Sequence, residues 1–276
     1  MKAVYFDCSF GISGDMAVAA LLDLGADQQA LLDTLQTLPL NGYKIEISEV
    51  QKSGITACDF NVILDSHHEN HDHDMDYLHG SSTDSHHSHG THETHTHQSS
   101  GNHHHDHRNL ADIKKILDNS QMSEGAKALS HRIFDILAEA ESEAHGLPVD
   151  QVHFHEVGAV DSIVDIAAFS ICMDELGFEK VFVPRLCDGC GQIRCQHGLI
   201  PVPVPAVKNI AKNHHLPLAS TKVHGELITP TGAALVAATL TDNELPDPYY
   251  IQKVGTGAGK RDYATPGIFQ VMVITY

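Results

Sequence analysis

The sequence predicts an α/β fold, a mixed sheet with flanking helices, broken by a long disordered His-rich insertion. Three observations carry that expectation. Short β-type runs alternate with amphipathic stretches of helical period, the pattern of strands covered by helices. Two neighbouring runs of period-2 alternation, around Tyr43 and Leu64, have no helix between them and add an antiparallel element. From Ser66 to His107 both periods vanish into a mixture of His, Asp, Ser, Thr and Gly that has too few apolar residues to build a core.

Ala3-Val4-Tyr5-Phe6 is the first strand. It passes through Asp7-Cys8-Ser9-Phe10-Gly11-Ile12-Ser13-Gly14 into a helix over 15–24, closed by Gly25. A second helix over 27–38 sets Leu31, Leu32, Leu35 and Leu38 on one face. Strands follow in which Tyr43, Ile45 and Ile47, then Phe60, Val62 and Leu64, alternate with polar residues. Beyond the tract, Leu110, Ile113, Ile116 and Leu117 mark a short amphipathic helix, and Leu129, Ile133, Leu137 and Ala140 stripe a longer one over 123–145, ended by Gly146 and Pro148. A polar turn over 153–161 precedes a helix over 162–176, stopped by Gly177. Lys180-Val181-Phe182-Val183 is a strand; Pro205 opens a helix to about Asn213; another helix starts near Thr231 and runs to Leu240; and residues 269–276 form a last strand that stops abruptly, as in a truncated or split polypeptide. The organisation is an N-terminal α/β segment (1–65), a His-rich mobile loop (66–108) and the remainder of the same α/β domain (109–276).

Seventeen Lys and Arg against thirty-six Asp and Glu give a formal charge of −19, a field that repels nucleic acid and anionic membranes and favours cations. Asp7, Asp15 and Asp23 interrupt every early apolar run before it reaches the length of a signal or membrane segment. A cytoplasmic protein with free or metal-ligating thiols is therefore expected, without nucleic-acid or membrane partners. A homo-oligomer is the expectation for assembly, although no residue pattern fixes the oligomeric state.

Fifteen of the twenty-three histidines lie in the tract, among them His67, His68, His71, His73, His86, His87, His89, His103, His104, His105 and His107. Imidazoles at this density, mixed with carboxylates, suit nickel, zinc or copper held in exchanging geometries, as in storage or capture. Outside the tract, His153, His155, Glu156, Asp161 and Asp165 fall within thirteen residues and offer a metal or acid–base site. The loop with Gly11, Ser13, Gly14 and Asp15, and the helix start with Thr229, Thr231 and Gly232, are candidate cofactor-binding segments, although packing or capping explains such residues equally well. Asp7 and His197 are further candidate metal ligands. Cys187, Cys190, Cys195 and His197 have the donor types of a compact zinc site, with free thiols as the other reading.

Taken together, Gly11-Ile12-Ser13-Gly14-Asp15-Met16, Leu21 to Gly25, the His-rich loop, the stretch from His153 to Asp165, His197-Gly198 with Pro201-Val202-Pro203, Thr229-Pro230-Thr231-Gly232 and Gly255-Thr256-Gly257-Ala258-Gly259 resemble the LarC family of nickel-insertion proteins along essentially the whole chain. Ser9-Phe10-Gly11 transposes that family's usual Phe-Ser-Gly, and Cys187 and Cys190 lie outside its pattern. The resemblance implies a nickel chelatase that uses CTP with a divalent metal, Mg or Mn. Nickel would enter between the two thiocarboxylates of pyridinium-3,5-bisthiocarboxylic acid mononucleotide, forming a nickel–carbon bond and maturing the cofactor of lactate racemase. It also implies a C-terminal CTP domain beyond Tyr276, supplied in some relatives as a frameshift product. A base among His153, His155 and Glu156, with Asp161, fits the loss of a ring proton. A nickel storage protein or metallochaperone without catalysis is the competing expectation.

Overall fold

The computed structural model of the chain describes residues 2–65, 108–152, 154, 159–195 and 198–276. The His-rich tract, with all its candidate ligands, and also His153, His155, Glu156 and His197, lie outside the described residues.

The strands before and after the tract join in one sheet. β1 (Ala3–Asp7), β2 (Tyr43–Lys52), β3 (Ile55–Leu64), β4 (Lys180–Phe182), β9 (Tyr250–Ala258) and β10 (Ile268–Thr275) take the order β2-β3-β9-β10-β1-β4. β1 is parallel to β4 and antiparallel to β10, while β2 and β3 form the antiparallel hairpin that their alternation predicts. β3 meets β9 in parallel through a single register pair, Cys58 with Gly257. Two smaller sheets flank this one: parallel β5 (Leu186–Cys190) with β8 (Leu218–His224), and an antiparallel hairpin of β6 (Gln192–Cys195) with β7 (Gly198–Pro201).

Among the described residues seven α-helices form: α1 (Gly14–Leu24), α2 (Gln28–Leu35), α3 (Leu110–Asp118), α4 (Glu124–His145), α5 (Val160–Leu176), α6 (Pro205–Asn213) and α7 (Pro230–Thr239). Their ends follow local chemistry. Asp27 caps α2 through Ala30 N–H, Asn109 and Asp112 form a reciprocal capping box on α3, and Ser123 caps α4 through Ala126 N–H. Gly25, Gly146 and Gly177 close α1, α4 and α5 in the left-handed conformation that costs glycine little. The second helix ends at Leu35 rather than Leu38, because Thr37 Oγ1 donates to Thr34 O and the Leu38 N–H turns back to Leu35 O.

Alternation in β1 places Val4 and Phe6 in the main core beneath the helices, and Ala3 in a smaller cluster with Phe182 and Ile274. α1 is buried nearly all round, since it lies against β9, β10 and β3 and also against α5. Its seat on β9 is unusually close. A Cβ at Gly255 would stand 2.2 Å from Ala20 O, and one at Gly257 2.0 Å from Met16 O, so only glycine fits at either position. Those glycines also hid β9 from sequence reading, since they depress strand propensity and Tyr250 to Val254 are exposed without alternation.

Candidate active site at the carboxyl edge of β1

β1 and β9 run in the same direction, so the loop after Asp7 and the chain after Ala258 leave the sheet at one edge, where α1 begins. Crevices outside the carboxyl ends of strands are where open α/β sheets bind ligands. The β1–α1 loop is fixed there by backbone pairing. Gly11 N–H donates to Cys8 O at 3.1 Å, Ile12 N–H to Leu227 O at 3.0 Å, and Thr229 N–H to Ile12 O at 3.1 Å.

Three glycines in and around this loop have steric reasons to be glycine. Gly11 has φ +92° and a Cβ there would lie 2.1 Å from Leu227 O; at Gly232 it would lie 2.2 Å from Ile12 O; at Gly14 it would lie 2.6 Å from Asp165 Oδ2. Thr229 is the N-cap of α7, its Oγ1 accepting the Gly232 N–H at 3.1 Å, with Pro230 following; Thr231 is buried. Two N–H groups that an anion would have used, those of Gly11 and Ile12, are thus spent on the protein itself.

Carboxylates collect beside this loop. Asp15, in the first turn of α1, accepts a hydrogen bond from the Ser13 hydroxyl. Asp165, one turn into α5, lies against Gly14, with Asp161 in the first turn of the same helix. Burial pushes the Asp165 carboxyl well above the ordinary carboxylate range, and the neighbouring Asp15 and Asp161 charges push it further, against the pull of Lys260. Asp15 is raised by burial too, opposed by its Ser13 and Met16 hydrogen bonds and by Lys260. The Asp15 charge thus opposes ionisation of Asp165, on top of the cost of burial. Lys260, two residues beyond β9, reaches Asp59 of β3.

Around the rim, Asp7 Oδ1 accepts from the backbone and hydroxyl of Ser9. Cys8 is buried, and burial, followed by the charges of Asp7 and Cys187, pushes its thiol up and away from the thiolate form that a metal needs. Asp188 of β5 is 0% exposed, and its Oδ1 accepts the N–H groups of Gly189, Leu227 and Ile228 at 2.7, 2.9 and 3.1 Å. One carboxylate oxygen therefore holds the segment that pairs with Ile12. Cys187, Cys190 and Cys195 are in the thiol form rather than in disulfides, and among the described residues no group of three or more His, Cys, Asp or Glu gathers closely enough to hold a metal ion.

Of the residues singled out from sequence, the fold brings together Gly11, Ser13, Gly14, Asp15, Asp161, Thr229 and Gly232, with Asp7 at the same edge. Sequence reading missed Asp59, Asp188, Glu226, Lys260 and Arg261. A lone aspartate in the apolar strand around Leu186 was a signal for Asp188, whereas the others meet only through long-range folding.

A family model described as nickel insertion protein matches residues 4–275. The chain belongs to that family. It is 47% identical over 98% of its length to the pyridinium-3,5-bisthiocarboxylic acid mononucleotide nickel insertion protein of Alkaliphilus metalliredigens, of which it covers 60%. The protein of the same description from Clostridium acetobutylicum is 46% identical over 98% of this chain and 63% of its own length. That of Acetivibrio thermocellus is 40% identical over 95% of this chain and 57% of its own length. The chain thus spans about three fifths of the curated relatives it matches. No solved structure matches it. Within the nickel insertion family the glycine-rich segment after Val254 thereby acquires a physical meaning in this chain: it is the floor on which α1 rests. No helix among the described residues is long and apolar enough to cross a membrane.

Proposed function

We propose that this chain inserts nickel into pyridinium-3,5-bisthiocarboxylic acid mononucleotide, a step that is CTP-dependent in the complete enzyme and yields the nickel-pincer cofactor of lactate racemase. The observation that carries the reading is the nickel insertion family match over residues 4–275. Relatives at 47% and 46% identity bear that substrate in their descriptions. In this reading nickel is a substrate, the mononucleotide is the acceptor, and the CTP-binding portion belongs to the complete enzyme. The described residues do not form a three-ligand set for Mg or Mn, so no step here runs through either ion.

The chemistry asks for little from the protein. A ring C–H bond breaks, its electron pair forms the nickel–carbon bond, and the proton passes to a base. The Asp15–Asp165 pair supplies an acceptor with raised proton affinity, flanked by Asp161. His153, His155 and Glu156, close before α5 in sequence, are the other proposed base and ligand candidates, with His197 and Asp7 as nickel ligands. Ser13, Thr229 and Thr231, with Gly11, Gly14 and Gly232, shape the loop against which the mononucleotide would rest.

One observation favours a second reading. Fifteen histidines between residues 66 and 107 are more than a single insertion event uses, and they suit storage or delivery of nickel. A chimera in which this chain replaces the matching region of the Alkaliphilus relative separates the two. The insertase reading expects CTP-dependent cofactor formation by the chimera. No product from a folded chimera, with several nickel ions bound by this chain and lost on deleting residues 67 to 107, would establish storage instead.

A further inference from the structure

At the same edge, the β9–β10 connection builds an apparatus around one cation. Glu226, only 7% exposed at its side chain, accepts from Arg261 Nη1 at 2.9 Å. Tyr263 lies 3.4 Å from the same nitrogen through its hydroxyl, which itself donates to Glu226 O at 3.0 Å. The Tyr263 ring packs so tightly on Gly225, at φ +122°, that a Cβ there would stand 2.5 Å from it. On either side, Lys52 binds Asp262 at 2.8 Å and Lys260 binds Asp59. Gly259 N–H donates to Gly267 O at 2.8 Å and closes the base of the loop.

This is more holding than an ion pair needs. A buried carboxylate, a phenol and a ring seated on a glycine fix the guanidinium along one edge, yet its side chain stays 41% exposed. An Arg anchored through one nitrogen keeps its remaining N–H donors in a rigid fork, the geometry that matches two oxygens of a phosphate. The charge pattern adds a second argument. The chain is at −19 overall, and the proposed substrate, a mononucleotide with two thiocarboxylates, is itself an anion. Binding it beside Asp15, Asp165 and Glu226 requires fixed positive charge at that edge. Lys260 and Arg261 stand there, adjacent in sequence; Glu226 immediately precedes Leu227, the residue on which Gly11 closes.

We infer that Arg261, fixed by Glu226 and Tyr263 and assisted by Lys260, is the phosphate-binding group of this site and selects a phosphorylated pyridinium nucleotide over the corresponding nucleoside. The inference rests on the proposed substrate class. Its test uses neither nickel nor CTP, so failure of nickel insertion leaves it standing and its own failure leaves insertion standing.

Titration calorimetry of the whole chain with nicotinic acid mononucleotide and with nicotinic acid riboside reads the phosphate contribution directly. The mononucleotide should bind at least about ten-fold more tightly, as expected of a site whose charged donors go unpaired without the phosphate. Arg261→Gln should erase that ratio, and Arg261→Lys, which keeps the charge without the fork, should retain only part of it. Tyr263→Phe should weaken mononucleotide binding and leave riboside binding unchanged, a split that a merely structural role would not produce. Equal affinity for the two ligands in the wild type, or an unchanged ratio in folded Arg261→Gln, overturns the assignment. So does inorganic phosphate competing as well as the intact mononucleotide, which would make this a site for the free anion.

Discussion

Along its body α1 meets β9 at glycines that leave no room for a methyl group, whereas at its amino end it meets α5 through Gly14 and the carboxylate of Asp165. The first contact is backbone against helix, apolar and without a movable part. The second crowds acidic groups whose repulsion the fold tolerates. Both ends depend on glycine, for different reasons: in the body it allows close packing, which stabilises, and at the amino end it admits a carboxyl where an apolar side chain would be more stable. Local rules are most often broken at sites kept for function.

Gly257→Ala should have the largest effect. Its Cβ would lie 2.0 Å from Met16 O, so helix or strand must move, at a loss of roughly 3 kcal/mol or more in urea unfolding. A loss under about 1 kcal/mol would show that the α1–β9 seat is looser than described.

Asp165→Asn tests the other end, and should stabilise. A carboxyl whose folded pKa is raised stabilises the fold only while protonated; that contribution is complete below its unfolded value and is lost as pH rises through the folded value. The amide does not ionise, so the variant should gain roughly 1–3 kcal/mol over wild type at neutral to alkaline pH. The gain should shrink towards zero below about pH 4, where the unfolded carboxyl is protonated as well. Denaturation curves across that range give both the sign and the window.

Gly14→Ala falls between the two ends. Its clash is with Asp165 Oδ2 at 2.6 Å and Cβ at 2.9 Å rather than with helix backbone, so the loss should be roughly 1–2 kcal/mol, below that of Gly257→Ala. Thr229→Ala, which removes the α7 cap beside the same loop, should cost about 1 kcal/mol and mark the smallest step in the series.

The elements whose cause is local were legible in the sequence. The apolar stripes over Leu31 to Leu38, Leu110 to Leu117 and Leu129 to Ala140 announced their helices, Gly25, Gly146 and Gly177 ended theirs, and the alternation from Tyr43 to Leu64 announced the hairpin. β9 was not legible, because its glycines answer to a helix more than two hundred residues earlier in the chain. The site divides in the same way. The Gly11 to Asp15 loop and Asp161 could be picked out from residue type and spacing. Glu226 with Arg261, and Asp59 with Lys260, are joined only by folding, and no local pattern foretells either pair. The histidine tract was legible by composition alone, and that argument stands on sequence.

The most direct test of the proposed role of the acidic end is the pH–rate profile of nickel insertion by the Alkaliphilus chimera, with Asp165 intact and as Asp165→Asn. If the Asp15–Asp165 pair accepts the ring proton, the variant should lose roughly 10²-fold or more in rate, together with the wild-type rise of rate with pH, while its stability is equal or higher. Insertion by Asp165→Asn at the wild-type rate, with the same pH profile, would contradict the account.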